Sequence, residues 1–349
     1  MILIKIITIS SRLRNYKIYI DKGILRQSGE ILKDTVPKAR AFIITDVNVG
    51  AIYLKQLYES LLKSGIESNS ISIPSGEGSK SFETVQMLLK CMSDCKINRS
   101  DVVIALGGGV VGDVSGFTAS IYMRGIKFIQ IPTSLLAQVD SSIGGKTGID
   151  TPYGKNLIGT FYPPHAVLTD TELLKTLPKR ELACGMAEII KSAAICDERF
   201  FERIEFGTEI EDMILSSLMI KKAIVEEDEL ENGSRRLLNF GHTLGHGIET
   251  YYGYDGRVLH GEAVAAGMAK ITLKCVENGI CEQKTYDRLV NVLKKYNLPD
   301  TLDYDSEIVQ KHMQGDKKAE GNAVNLVILK KIGQAEVLKV ECLNLIHWI

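Results

Sequence analysis

The sequence predicts an α/β chain in two parts, a parallel-sheet domain followed by a mainly α-helical one. Three observations carry this. From about residue 38 to 170, short β-branched runs alternate with amphipathic stretches. Beyond Thr171 helical spacing dominates, and the triplet Gly107-Gly108-Gly109 stands where an apolar run hands over to a helical one. A chain of 349 residues is long enough to bury two cores.

Taken in order, Met1-Ile-Leu-Ile-Lys5-Ile-Ile-Thr-Ile-Ser10 reads as a first strand. Lys5 breaks its apolar run and no small-residue cleavage site follows, which argues against a secretory signal. Ala41 to Thr45, Ile71 to Ile73, Val102 to Leu106 and Phe128 to Ile131 read as buried strands. Between them Ile52 to Leu62, Phe82 to Met92 and Val111 to Ser120 carry helical spacing. Such alternation implies a Rossmann-like, mainly parallel sheet with right-handed crossovers. Leu177-Pro178 then opens a helix, and helical patterns cover roughly 180–197, 209–229, 237–253, 260–279 and 284–296. Val324 to Leu329 and Ala335 to Val340, separated by Lys331-Ile-Gly333, resemble a hairpin. The expected domains are 1–171 and 172–349, with the active site in the cleft between them.

Composition excludes several classes of partner. The 42 basic and 43 acidic residues nearly cancel, so no global field favours nucleic acid or an anionic membrane. No apolar stretch approaches the length of a membrane span. The seven cysteines are odd in number and lack CxxC spacing, which argues against a disulfide framework and for a reducing cytoplasm. Cys91 and Cys95, four apart on a helical stretch, read as small buried hydrophobes.

The first domain points to a nucleotide. Glycines between a strand and a helix let the backbone approach a phosphate, and the helix start offers free N–H groups. Thr45-Asp46-Val-Asn48, Ser75-Gly-Glu77-Gly-Ser-Lys80 and Pro132-Thr133-Ser134 close neighbouring strands. Singly each is a turn or a helix cap, as at Ser79 to Ser81; jointly they form one binding rim at the carboxyl ends of the sheet. Beyond it, Asp140-Ser-Ser-Ile-Gly-Gly-Lys146 and Gly154-Lys155-Asn156 place lysines among glycines, which suits an anionic small substrate.

The second domain points to a metal. Three of the chain's six histidines fall in Asn239-Phe-Gly-His242-Thr-Leu-Gly-His246 and Leu259-His260-Gly-Glu262. His242 and His246 share a helix face. Gly185-Met-Ala-Glu188-Ile-Ile-Lys191 puts a carboxylate and a lysine on an otherwise apolar helix, where a charge needs a partner or an ion. Glu188 with two of the three histidines would make a zinc-like set with open positions, and spacing alone leaves open which two. Arg235-Arg236 and Asn239 lead into the cluster. The acidic run Glu226-Glu-Asp-Glu229 reads as a solvated helix end, and His165, His312 and His347 stand apart.

These motifs, together with Gly107-Gly-Gly-Val-Val-Gly-Asp113 and in the same order, resemble the 3-dehydroquinate synthase family over about residues 40 to 340. The resemblance implies a shikimate-pathway lyase that converts 3-deoxy-D-arabino-heptulosonate 7-phosphate to 3-dehydroquinate and phosphate. It implies catalytic NAD, one divalent metal (Zn2+ or Co2+) and a homodimer. The implied sequence is oxidation at C5, loss of phosphate, re-reduction, ring opening and aldol closure.

Carried over residue by residue, the resemblance makes Glu188, His242 and His260 the metal ligands. It implies that Arg124, Asp140, Lys146, Asn156, Lys191, Lys221, Arg235, Asn239, His246 and Lys317 bind substrate. Lys222 and Lys318 are the alternatives to Lys221 and Lys317. Of these residues His246, Lys146, Lys191, Asn156 and Arg235 are the expected catalytic groups. Asp46, Asn48, Glu77, Lys80, Gly108, Gly109, Val110, Asp113, Thr133, Ser134, Lys146, Lys155, Leu173 and Thr176 fall at NAD-contacting positions. Rival readings are another sugar-phosphate cyclase (aminodehydroquinate or valiolone type), a metal-dependent polyol or glycerol dehydrogenase, and a nucleotide-binding regulatory protein.

Overall fold

The computed structural model describes residues 4–151, 154–231, 233–315 and 323–349. The chain separates into two compact units, Met1–Leu177 and Pro178–Ile349.

The first unit is built on a seven-stranded sheet. Strands β1 (Lys5–Ile9) and β2 (Tyr16–Asp21) pair antiparallel. The others, β3 (Ala41–Asp46), β4 (Ser68–Ile73), β5 (Val102–Gly107), β6 (Lys127–Pro132) and β9 (Ala166–Asp170), join in parallel. The strand order is β1-β2-β9-β6-β5-β3-β4. Apolar residues on both faces of the central strands explain why these runs read as continuous rather than alternating. On β3, Ile43 faces one core with Leu32, Leu57 and Leu61, while Phe42 and Ile44 face the other with Leu88, Met92 and Val114. Helices α1 (Ser28–Thr35) and α2 (Val47–Lys63) supply the first core, and α3 (Phe82–Asp94) and α4 (Gly109–Ile121) the second. Each fully buried Ile or Leu contributes roughly 1.5–3 kcal/mol.

Several elements of this unit, α1 and β9 among them, were not read from the sequence. β2 alternates buried and outward residues and carries Lys17 and Asp21, so it lacks an apolar run. A hairpin of β7 (Lys146–Thr151) and β8 (Gly154–Phe161) forms from the lysine- and glycine-rich stretch that looked like a ligand loop. The turn Thr171–Thr176 stays with the first unit: the Tyr53 hydroxyl donates to the Leu173 carbonyl and bonds the Thr176 hydroxyl. The contacts therefore divide the chain after Leu177 rather than near residue 171.

The second unit is mainly helical. It comprises α5 (Lys179–Cys196), α6 (Glu198–Phe206), α7 (Ile210–Glu227), α8 (His242–Tyr251), α9 (His260–Glu277), α10 (Gln283–Lys295) and α11 (Ser306–Gly315). Strands β10 (Ala323–Lys331) and β11 (Gln334–Glu341) form the expected hairpin, turning at Gly333 with φ 83°. Ile189, Phe200, Phe240, Leu244, Ile248, Met268, Leu293 and Leu326 fill its core. The helix expected from about 237 begins instead at His242. Ser234–Asn239 is a tighter 3-10 turn, and Gly241, at φ 77°, breaks between the two. Among the described residues no helix is long and apolar enough to cross a membrane.

Candidate active site

In the first unit, β6, β5, β3 and β4 are contiguous and parallel, so the loops that follow them line one edge of the sheet. The chain passes from β3 outward to β4 and returns to β5 on the other side of β3. That reversal is the topological switch point where open α/β sheets bind ligands. Asp46 ends β3 there, and one carboxylate oxygen, Oδ1, caps α2 by accepting from the amides of Asn48 and Val49 at 2.9 and 3.0 Å. Gly108 is the N-cap of α4, and a side chain on Gly109 would press on Ser141, its Cβ 3.2 Å from the hydroxyl. Thr133 is buried and its amide donates to the Gly107 carbonyl. The Ser134 hydroxyl accepts from the Ala137 amide.

Beside the glycine turn lies a cluster of charges. The buried Lys80 ammonium sits 2.9 Å from Asp113 Oδ2 and 2.5 Å from Asn156 Oδ1. Lys155 pairs with Glu77 Oε1 at 3.0 Å. Burial opposes the charge on Lys80, but Asp113 and then Glu77 outweigh it and hold its pKa above the ordinary lysine range. Asn156 adopts φ 53°, a conformation in which its amide donates to Asp150 at 2.8 Å. The hairpin of β7 and β8 thus brings Lys155 and Asn156, far along the chain, onto Glu77 and Lys80.

In the second unit, Glu188 on α5, His242 at the start of α8 and His260 at the start of α9 converge. Their candidate ligand atoms lie within 4.8 Å of one another and could hold a metal ion. Glu188 Oε1 is 3.5 Å from His242 Nε2 and 3.7 Å from His260 Nε2. Donors on a tetrahedral ion at zinc bond lengths are about 3.3 Å apart, close to the spacing of Glu188 Oε1 from each ring nitrogen. Glu188 Oε1 is buried without a hydrogen-bond partner, while Oε2 is paired with the buried Lys191 ammonium. An uncompensated buried carboxylate oxygen facing two ring nitrogens fits a divalent cation.

Both histidines turn the right nitrogen inward. The His242 Nδ1 is 3.2 Å from the Phe240 carbonyl, and the His260 Nδ1 is 3.0 Å from Glu249 Oε2. A proton on each Nδ1 leaves each Nε2 lone pair facing Glu188. Burial, reinforced by Lys191 and the neighbouring histidines, pushes the His242 pKa well below 6.5, so its ring is neutral.

The framework brings these helices close. A side chain at Gly261 would collide with the Cys184 backbone, and one at Gly267 with the Gly241 carbonyl. Arg180 grips both Glu262 oxygens at 2.6 and 2.7 Å and the carbonyls of Gly256 and Arg257. Glu262 accepts from the Leu259 amide at 2.9 Å, which fixes the helix start that carries His260.

His246 lies beside the triad, its ring centroid 5.4 Å from His242 and 5.8 Å from His260. Arg235 is buried, its amide donating to Asp228 Oδ2 and its guanidinium to the Glu229 carbonyl. Asn239 donates to Glu231 at 2.9 Å. The acidic run at the end of α7 is therefore more than a solvated helix end, because Asp228 and Glu229 set the turn that presents Arg235. Lys221 is buried on α7, whereas Lys222 pairs with Glu226. Asp140 lies half-buried in the turn Ala137–Ser141, Lys146 opens β7, exposed, and Arg124, exposed, follows α4 at φ 67°. Lys317 and Lys318 lie outside the described residues. Glu249 was not singled out in the sequence, although His242, His246 and Glu249 follow an i, i+4, i+7 spacing that shares one helix face.

Two family models match in succession: the 3-dehydroquinate synthase N-terminal region over residues 70–184 and its C-terminal region over 185–319. The chain belongs to the 3-dehydroquinate synthase family. A curated 3-dehydroquinate synthase from Clostridium kluyveri is 44% identical over 97% of this chain and 96% of that protein. One from Enterococcus faecalis is 43% identical over 95% of each. Among solved structures, a 2-epi-5-epi-valiolone synthase from Streptomyces hygroscopicus, with NAD+ and Zn2+ bound, superposes at a TM-score of 0.86. It is 26% identical and covers 94% of each chain. A 2-deoxy-scyllo-inosose synthase complexed with carbaglucose-6-phosphate, NAD+ and Co2+ reaches 0.89 at 24% identity over 99% of each, a likeness of fold. A glycerol dehydrogenase from Schizosaccharomyces pombe reaches only 0.61, at 19% identity over 85% of this chain and 81% of that one.

Proposed function

We propose that the chain converts 3-deoxy-D-arabino-heptulosonate 7-phosphate to 3-dehydroquinate and phosphate, by transient oxidation at C5, phosphate elimination, re-reduction and intramolecular aldol closure. The observation that carries this reading is the convergence of Glu188, His242 and His260 around one partnerless carboxylate oxygen in a chain of this family. These three residues would hold one Zn2+ or Co2+, which when bound supplies Lewis-acid polarisation of the substrate's hydroxyl and carbonyl oxygens. NAD, borne by the first unit, supplies a hydride acceptor that is restored within each turnover.

The chain's own groups then bind, orient and move protons. Asp46, Gly108, Gly109, Val110, Thr133 and Ser134 line the rim for the dinucleotide, and Asn48, Leu173 and Thr176 extend it. The Lys80–Asp113 pair, with Glu77 and Lys155, forms a rigid polar wall for its ribose and nicotinamide. Lys191, held against Glu188, offers a cation to the substrate oxygens without exposure to bulk water. Arg235, preset by Asp228 and Glu229, is suited to a bidentate grip on the substrate carboxylate. Asn239, Asp140, Lys146, Asn156 and Lys221 add substrate contacts, Arg124 is assigned to the substrate phosphate, and Lys317 or Lys318 joins the substrate-binding set. His246 is assigned to give and take a proton at the substrate.

A homodimer in the cytoplasm completes the proposal. Seven cysteines, odd in number and without CxxC spacing, support the reducing compartment, and the family supports the assembly.

The test is phosphate release from the heptulosonate phosphate. We expect release that requires NAD, stops with a chelator and accumulates no NADH. No release, alongside steady NADH formation from a polyol, would overturn the reading in favour of a dehydrogenase. Release only from an amino analogue would redirect it to that cyclase.

A further inference from the structure

We propose that Glu249 is a positioning residue that fixes the His260 ring, so that Nε2 rather than Nδ1 serves the metal triad. The inference rests on the assignment of Glu188, His242 and His260 as ligands.

The two histidines of the triad are held unequally. His242 is buried, and its Nδ1 meets a main-chain carbonyl, that of Phe240. The His260 side chain is 32% exposed against 11% for His242, so packing restrains it less. Its ring is gripped by Glu249 Oε2 at 3.0 Å from Nδ1, while Nε2 stands 3.7 Å from Glu188 Oε1. Glu249 is 5% exposed, and its desolvated carboxylate is a strong acceptor for a ring N–H. One carboxylate thus selects the tautomer and aims the ring, as outer carboxylates do for metal-bound histidines. Because Glu249 and His242 share α8, a single helix carries one ligand and the anchor of another.

His246, Glu249 and His260 also form a second set of donor atoms within 4.8 Å of one another. Glu249 and His260 of that set already share the 3.0 Å hydrogen bond between Oε2 and Nδ1. A second ion there is the alternative that the experiment must separate.

The experiment titrates metal-free full-length protein with Co2+, following the visible absorption of the bound ion, for wild type, Glu249→Leu and Glu249→Gln. We expect one equivalent in wild type, an affinity about 10- to 100-fold weaker in Glu249→Leu, and a smaller loss in Glu249→Gln, whose carboxamide oxygen still accepts. Long-range 1H–15N correlation spectra of the metal-free proteins report the ring directly. His260 should carry its proton on Nδ1 in wild type and in Glu249→Gln, and lose that preference in Glu249→Leu. Should Glu249→Leu fail to fold by circular dichroism, the Gln titration and the wild-type tautomer decide. A proton on Nε2 in wild type, or equal affinities and tautomers in all three proteins, would overturn the proposal. So would a second equivalent of Co2+ lost in both variants. Failure of wild type to bind Co2+ at all would instead overturn the ligand assignment.

Discussion

The two polar clusters of this chain differ in one respect: the cluster of the first unit is satisfied from within, and that of the second is not. Lys80 finds Asp113 and Asn156, and Lys155 finds Glu77, so each charge there has a protein partner. In the second unit Glu188 gives one oxygen to Lys191 and leaves the other without a hydrogen bond, opposite two histidine nitrogens. A closed network is a preformed wall against which a ligand rests. An open one has a place for a cation. The difference teaches that burial of charge is informative only when its partners are counted.

The comparison is broken most severely by Glu188→Gln. Removing the charged donor should abolish metal retention and lower phosphate release by about a thousandfold or more; metal analysis of the purified variant and the phosphate assay check both. Full metal content with lost turnover would move Glu188 out of the ligand set. His246→Ala should keep its metal and lose turnover by roughly 10²–10⁴. If the metal departs with it, the division between ligand and proton-carrying histidine is wrong.

Lys80→Met probes the closed cluster. Leaving Asp113 without its cation should destabilise the protein by about 3 kcal/mol and weaken NAD binding, with metal content unchanged. Denaturant melts and cofactor titrations read the two effects, and a stability equal to wild type would show that the network is not a closed unit.

The smallest effect sharpens the contrast between two neutral histidines. His165 in the first unit accepts at Nδ1 from Arg14 and from the Phe128 amide, and burial, then Arg14, lowers its pKa from 6.5 to about 4. The unfolded chain takes up that proton first as pH falls, so the contribution is complete above 6.5 and lost between 6.5 and about 4. It amounts to up to ~3 kcal/mol. A His165→Phe variant should lose stability less steeply than wild type over that window; parallel curves would discount the group.

The parts legible in the sequence were those with a strong local period. β3, β5 and β6 are buried on both faces and read as unbroken apolar runs, and His242 and His246 announce a helix by their spacing. β2 escaped notice because its pattern is half polar. The hairpin of β7 and β8 escaped because glycine and lysine resemble a loop until the register is known. Glu188 was legible as a charge on an apolar helix, but which histidines meet it was not. That choice depends on how α5, α8 and α9 cross, which no one-dimensional pattern encodes. Glu249 and Asp228 lay in plain view as ordinary acids, and their roles exist only through partners 11 and 7 residues away.

Gly261 and Gly267 press α9 directly onto the main chain of α5 and of the turn before α8. The distance between the histidine-bearing backbones is consequently a main-chain quantity, insensitive to which apolar residues fill the surrounding core. Sequence drift in that core can retune stability without changing the bite of the triad. An engineer wishing to alter metal preference would have to exchange donor atoms, since the aperture itself offers no side chain to trim.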